Sequence, residues 1–381
     1  MLQSPRSLAW MLLMTLTVLP AAHAEEALLF ISNFTWGDAG GIQAAQLDLT
    51  TGALKLGTRT GDVPNPFFLA LSPNQKFLYS IRAKQFGSSE TEEFAAFELQ
   101  GITGQLKLLN TQTTKGAASC YIDVDKTGRV AVVANYSTGN LVSVAIRPDG
   151  SLGDVATFLQ HTGSSVNPGR QKAPYAHCSV VSPDNRLVLV ADLGLDKVLL
   201  YRLDPQTARL TPNAVQPFVR LPPGSGPRHL TFHPQGKHVY VINELANSVT
   251  LFDYHAEPGL LVEQQTLSTL PEGYSEVTHC ADLKITPNGK FLYGTNRGHD
   301  SLAAYRLGED GRMTLIEIEP SRGKGPQNLL ITPAGDLLVC ANMPGNNVSV
   351  FRIDQQSGAL TPVGQPVETT SPSCLMMLRR P

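Results

Sequence analysis

Gly224–Val249 reads GSGPRHLTFHPQGKHVYVINELANSV. A loop leads into a strand (His229–His233), a tight turn (Pro234–Gly236), a second strand (Lys237–Ile242) and a polar turn (Asn243–Asn247). Val, Tyr and Ile crowd the second strand, and Pro-Gln-Gly supplies turn chemistry. Looser copies recur along the chain. Their tight turns begin at Ser72, Asp125, Ser182, His233, Thr286 and Thr332. Seven residues beyond each turn's last residue stand Arg82, Asn135, Asp192, Asn243, Asn296 and Asn342. Asn33, after Ala27–Ser32, holds the same place without a preceding turn, which makes seven copies of about fifty residues each.

Each copy continues with a third strand, at Ile42–Asp48, Phe94–Leu99, Leu141–Ile146, Lys197–Leu203, Ser248–Tyr254, Ser301–Leu307 and Val348–Ile353. A turn and a weaker fourth strand follow, as at Thr51–Leu54 and Thr103–Leu106. Apolar residues alternate or run together over short stretches, without helical spacing. Four strands per repeat and no helices between them predict an all-β fold, a seven-bladed β-propeller with antiparallel blades. Two stacked sandwiches would not share one register across seven copies. The chain enters at a second strand and ends on Cys374–Leu378, a first strand without a partner. Pairing those two is expected to close the ring. His161–Ala176 (HTGSSVNPGRQKAPYA) is a longer polar connection between the third and fourth blades, either a neutral surface excursion or part of a binding face.

Met1–Ala24 is expected to be a secretory signal peptide. Arg6 gives a positive start, Leu8–Leu19 an apolar run too short for a comfortable membrane span, and Ala22–Ala24 a small-x-small cleavage site. Residues 25–381 then form one propeller domain, periplasmic or secreted, with no membrane association after cleavage. The formal charge is −2 with acids and bases well mixed and no basic stripe, which argues against nucleic acid as a partner. The oligomeric state is left open. Cys120, Cys178, Cys280, Cys340 and Cys374 are odd in number, widely spaced and set in apolar runs. They are expected as buried free thiols, although export would permit disulfides. No spacing suggests zinc, and no P-loop, GxSxG, HExxH or EF-hand pattern occurs, so no cofactor and no metal are expected.

Residues equally far before and after a hairpin's turn lie at the same end of the blade. Counted from each turn's last residue, eight positions before stand Phe67, Cys120, His177, Arg228, Ala281 and Gln327, and eight after stand Ala83, Tyr136, Leu193, Glu244, Arg297 and Met343. His177, Arg228, Glu244 and Arg297 therefore gather at one channel mouth, on the fourth to sixth blades. The set offers two cations for an anionic or carbonyl oxygen, and a carboxylate and an imidazole for proton transfer. The Asn residues at the seven-after place suit turn formation. His279 and His299 lie near the same end, towards its periphery.

At these residues the sequence resembles the seven-bladed lactonase propellers, which include propeller-type 6-phosphogluconolactonases and carboxy-muconate lactonizing enzymes. Gly224–Leu245 carries the most specific likeness; His177–Asn185, Thr295–Ser301 and Asn167–Gln171 add to it, and the rest of residues 25–381 is similar in a diffuse way. The resemblance implies catalytic roles for His177, Arg228, Glu244 and Arg297, the four positions the register also selects. Arg170, Gln171, Tyr136, Asn243, Asn296, His299 and Gln327 are the expected substrate-binding residues around them. Many longer members carry a second His where this chain has Tyr175. The resulting expectation is an exported lactonase that hydrolyses a sugar lactone, with Glu244 or His177 activating water and the other protonating the leaving alkoxide. A muconate-type intramolecular lyase and a non-catalytic scaffold propeller are the alternatives.

Overall fold

A computed structural model of the chain describes residues 26–35, 40–87 and 90–378. The expected signal peptide, Met1–Ala24, lies outside the described residues. Seven antiparallel sheets of four strands stand in a ring. From the channel outwards, the fifth blade is Pro227–Phe232, His238–Asn243, Ser248–His255 and Leu260–Ser268. The sixth is His279–Ile285, Phe291–Arg297, Ser301–Leu307 and Met313–Pro320. In the fourth blade the outer strand is broken into Arg209–Pro212 and Phe218–Arg220, both paired to Lys197–Asp204. Pro212 and Pro217 flank the break, and proline has no N–H to give a ladder.

The ring closes as the sequence predicts. Pro372–Met377 pairs antiparallel with Glu26–Asn33, making the inner strand of the first blade from the far end of the chain. Closure leaves no exposed inner edge for another chain to extend.

The tight turns explain their own sequence. Their last residues, Gln75, Gly128, Asn185, Gly236, Gly289 and Gly335, all have positive φ, between 57° and 75°. Glycine adopts that region without strain, and Asn tolerates it better than most residues. Except at His233, whose ring accepts from Gln235 N within the turn, the first residue's side chain caps the second strand. Ser72 Oγ accepts from Phe77 N at 3.0 Å, Asp125 Oδ1 from Val130 N at 2.8 Å and Thr332 Oγ1 from Leu337 N at 3.0 Å.

Burial falls from the middle of each blade outwards. Second strands such as Val130–Asn135 and Leu337–Asn342 are buried throughout, whereas outer strands alternate with solvent. Adjacent blades are also tied by a repeated hydrogen bond from a second-strand tyrosine to the outer turn of the next blade. Tyr79 donates to Gly150 O at 3.1 Å, Tyr240 to Gly311 O at 2.6 Å and Tyr293 to Gly358 O at 2.8 Å. All five cysteines are free and buried. Burial pushes the thiols of Cys178, Cys280 and Cys374 up to about 12, so they remain protonated at neutral pH.

Truncation after Ser371 should remove the inner strand of the first blade and expose the inward edge of Glu26–Asn33. The expected outcome is loss of the cooperative thermal transition and accumulation of aggregate in size-exclusion chromatography. A truncated chain that melts like the full chain would show that closure contributes little.

Candidate functional site at the channel mouth

Sequence counting placed Cys120, His177, Arg228 and Gln327 at equivalent positions, and the structure gives that place a physical identity. In each hairpin it is a β-bulge. Pro227 pairs with Asn243 and His229 with Ile242, so Arg228 is the extra residue. His177 is likewise extra between Ala176 and Cys178, Cys120 between Ser119 and Tyr121, and Gln327 between Pro326 and Asn328. Ser373 holds the same place in the first blade. A bulge re-aims one side chain without ending the strand. Six inner strands bulging at one level thus make a ring of re-aimed side chains around the channel; the short inner strand of the second blade, Leu69–Leu71, pairs without a bulge. In the sixth blade Ala281 and Asp282 together face one residue, so the count lands on Ala281 while its neighbour carries the charge.

Glu244 is the hub. Its side chain is only 6% exposed, yet it meets three guanidinium groups. Oε2 lies 2.8 Å from Arg297 Nη2 and 3.0 Å from Arg228 Nε, and Arg170 Nη2 donates to Oε1. The Arg228 Nε–H is not aimed at the carboxylate, so that contact is ionic rather than a formed hydrogen bond. His177 Nε2 stands 4.0 Å from Oε2. Burial by itself would raise the Glu244 carboxyl. Arg297, Arg228, His177 and Arg170 outweigh it and hold the group well below the usual carboxylate range. Burial, and then Arg228, depress His177 far below its ordinary value, so its ring is neutral at pH 7. The hub therefore carries three fixed positive charges against one negative.

Arg228 is held from behind by groups the sequence reading did not single out. Nη1 donates to Ala281 O at 2.6 Å and to His229 Nε2 at 3.1 Å. His229 in turn gives its Nδ1–H to Asp282 at 2.9 Å. Asp282 also accepts from Lys284 Nζ, Asn328 Nδ2 and Leu329 N at 2.6, 2.8 and 2.9 Å. Burial and Arg228 take His229 down to about 3, which keeps it neutral and able to accept from the guanidinium. A buried acidic residue in the inner strand His279–Ile285 (HCADLKI), two places before Lys284, was the available signal for Asp282. Beneath this level the rings of Phe68, Tyr121 and His229 pack against one another, with Phe68 and Tyr121 stacked at 4.2 Å.

The other sequence-selected residues separate into two groups. Arg170 reaches Glu244 and also His279 Nε2 at 3.3 Å, so the long connection between the third and fourth blades does come to the mouth. Tyr136 sits edge-on to His177 at 5.1 Å and stacks on Tyr175 at 4.8 Å; Gln327 Oε1 accepts from Arg297 Nη1 at 3.3 Å. Gln171, Asn243 and Asn296 instead hydrogen-bond within the scaffold. Gln171 is fully buried and donates to Leu193 O and Asp196 Oδ1, both at 2.8 Å, which fixes the loop bearing Arg170. Asn243 donates to Ser248 and Thr250 and Asn296 to Thr269 O and Ser301, as the turn-forming reading expects. His299 bonds Ser301 Oγ at 2.7 Å and rests on Tyr274, towards the periphery.

The family model described as "Lactonase, 7-bladed beta-propeller" matches residues 28–377. A 6-phosphogluconolactonase of Bacillus subtilis is 30% identical over 352 residues, covering 92% of this chain and 98% of the relative. One of Formosa agariphila is 32% identical over 354 residues, covering 92% and 99%. Among solved structures, the periplasmic gluconolactonase of Pseudomonas aeruginosa superposes with a TM-score of 0.88 at 31% identity, covering 94% of this chain and all of that one.

Replacing Glu244 by Gln leaves Arg228 buried beside a neutral amide. Breaking a buried ion pair by removing one partner costs roughly 3–5 kcal/mol, so a loss of about that size is expected in urea unfolding. Glu244→Gln combined with Arg228→Met should recover much of it. Unchanged stability of the single variant would mean that the carboxylate is not the required counter-ion.

Proposed function

The chain belongs to the seven-bladed β-propeller lactonase family, and from that premise we propose that it hydrolyses a sugar lactone such as gluconolactone at the channel mouth. The observation that carries this reading is the cluster of Arg170, Arg228 and Arg297 around Glu244, with a neutral imidazole alongside. The relatives' names give the substrate class: 6-phosphogluconolactone for two of them and gluconolactone for the Pseudomonas protein.

Hydrolysis needs a base for water, a cation for the oxyanion and an acid for the leaving alkoxide. Arg297 and Arg170 are the part-exposed guanidiniums, at 25% and 35% side-chain exposure, and so are the ones open to the lactone carbonyl. Arg228 is 1% exposed and acts by holding Glu244 in place. The expectation that either Glu244 or His177 takes the proton narrows to His177. Both Glu244 oxygens are already engaged by guanidiniums, whereas His177 Nε2 stands 4.0 Å from the nearer of them. His177 is unprotonated at neutral pH, and once protonated it is a strong acid for the alkoxide. Cys120 Sγ lies 3.3 Å from His177 O and 3.6 Å from His177 Nδ1. With the thiol proton on that carbonyl, the sulfur accepts from Nδ1–H, and Nε2 is left bare as the proton acceptor. In the proposed sequence water adds to the carbonyl as Nε2 takes its proton. The ring C–O bond then breaks, and Nε2–H returns the proton to the alkoxide, giving the open hydroxy acid.

The test is hydrolysis of gluconolactone and its 6-phosphate by purified mature protein, corrected for the spontaneous reaction. Arg297→Ala and His177→Ala should each lower kcat/KM by about 100-fold or more, the scale of losing an oxyanion donor or a general base. Unchanged rates in both would overturn the assignment. The pH profile supplies a second check. The active form is neutral His177, and its pKa is lowered, so activity should hold as pH falls through 6.5 and fail only well below it. An acid limb at or above 6.5 would exclude His177 as the base.

Export belongs to the same reading. It is supported by the pattern of Met1–Ala24 and by the periplasmic relative. The expected N-terminus of protein recovered from the periplasm or medium is Glu25, read by intact mass; a cytoplasmic chain still beginning at Met1 would refute it.

A further inference from the structure

The charged residues occupy only part of the mouth. In the second blade the eight-before residue is Phe67, on the side of the ring away from Arg228. Phe34, Phe67 and Phe86 form a compact aromatic group: Phe67 and Phe86 stack at 5.0 Å, and Phe34 sits edge-on to Phe67 at 5.1 Å and to Phe86 at 5.0 Å. Tyr136 and Met343, the eight-after residues of the third and seventh blades, pack against the same apolar cluster. Phe34, Phe86, Tyr136 and Met343 are each half-buried rather than sealed in the core. The mouth is therefore divided. Blades four to six present guanidinium, imidazole and carboxylate, while on the other blades Phe34, Phe67, Phe86, Tyr136 and Met343 add an apolar side between the bulge residues Ser373, Cys120 and Gln327. Tyr136 joins the halves through its edge-on contact with His177.

A fully hydroxylated sugar ring gains little from such a wall. An apolar substituent on the lactone gains directly, since pockets for small ligands pair apolar walls with a few placed polar groups. We propose that the Phe34–Phe67–Phe86 wall is a subsite for an aromatic or alkyl substituent of the lactone, so that the preferred substrates are amphipathic lactones whose ring sits at the arginines. This inference rests on the lactonase reading of the same mouth. The charged half binds what all lactones share, and the aromatic half distinguishes among them.

The probes are δ-valerolactone and the same lactone carrying a phenyl group on the carbon next to the ring oxygen, with gluconolactone as the reference substrate. In the mature wild-type protein kcat/KM should be at least about tenfold higher for the phenyl lactone than for δ-valerolactone, a modest share of what an apolar contact can discriminate. Phe86→Ala should pull that ratio towards one, and Phe86→Leu, which keeps apolar bulk at the wall, should retain part of it; thermal melts of both check folding. Equal kcat/KM for the two probes in the wild-type protein overturns the subsite, as does a ratio that survives Phe86→Ala. Hydrolysis of gluconolactone alone also overturns it while leaving the lactonase reading in place. Failure to hydrolyse any of the three lactones sinks the lactonase reading, and the subsite with it.

Discussion

A carboxylate taken out of water must be answered by positive charge nearby, and Glu244 sets that requirement for the whole mouth. Removing an ion from water costs several kcal/mol even in a relaxed protein, and only close, well-placed partners repay it. Here the partners come from three separate parts of the chain. Arg170 lies on the long connection, Arg228 on the inner strand of Glu244's own blade and Arg297 on the second strand of the next. No two adjacent residues could supply this geometry. The site exists only when blades four, five and six are stacked and the loop is pinned. Asp196 does the pinning: it accepts from Gln171 on the loop and from Gly224 and Gly226 at the entry to the fifth blade.

The bulges solve a second problem. A regular strand alternates its side chains between its two faces, and a blade packed on both faces by its neighbours buries both. A functional side chain aimed down the channel axis fits neither face. One extra residue per inner strand creates a direction that the regular pleat lacks. Because the bulge sits at one level in every blade described above, the propeller has a ring of adjustable positions on a fixed scaffold. Those positions hold Ser373, Cys120, His177, Arg228, Ala281 and Gln327, six chemically different fillings of one geometric slot, while Phe67 has the same count in the second blade just ahead of its unbulged inner strand.

Much of this was legible in the sequence, and the limits have physical causes. The repeat was readable because each turn needs a positive-φ residue at its end and a polar cap at its start, so Gly or Asn and Ser, Thr or Asp recur at fixed offsets. The channel residues were readable because hairpin register converts counting into height. The bulge itself was not, since it is a mismatch in hydrogen bonding that leaves no composition signal. The Asp282–His229–Arg228 chain was also missed. Arg228 and His229 are neighbours on the fifth blade but Asp282 lies on the sixth, and contact between residues some fifty apart depends on how the blades stack. Gln171 and the turn asparagines show the converse. A polar residue beside a site in sequence is often used to hold the scaffold, and only its hydrogen-bond partners reveal which.

In the proposed mechanism the division between the two acid–base candidates follows from where the charge is needed. If Glu244 took the proton from water, the three guanidiniums would lose the charge that holds them together at the moment an oxyanion forms beside them. Keeping Glu244 ionised leaves the cluster with a constant excess of positive charge, already oriented before the lactone arrives. That is the sense in which a preorganised site lowers a barrier: the cost of assembling the cations was met during folding. His177 is suited to the other task because its proton is weakly held. Burial and Arg228 make the imidazolium unstable in the resting site, whereas a tetrahedral oxyanion nearby stabilises it in passing. In the proposed reaction the proton is then released to the ring oxygen as the C–O bond breaks. One histidine would serve both halves of the proposed reaction because its neighbours make it neutral before the lactone binds and neutral again once the alkoxide is protonated.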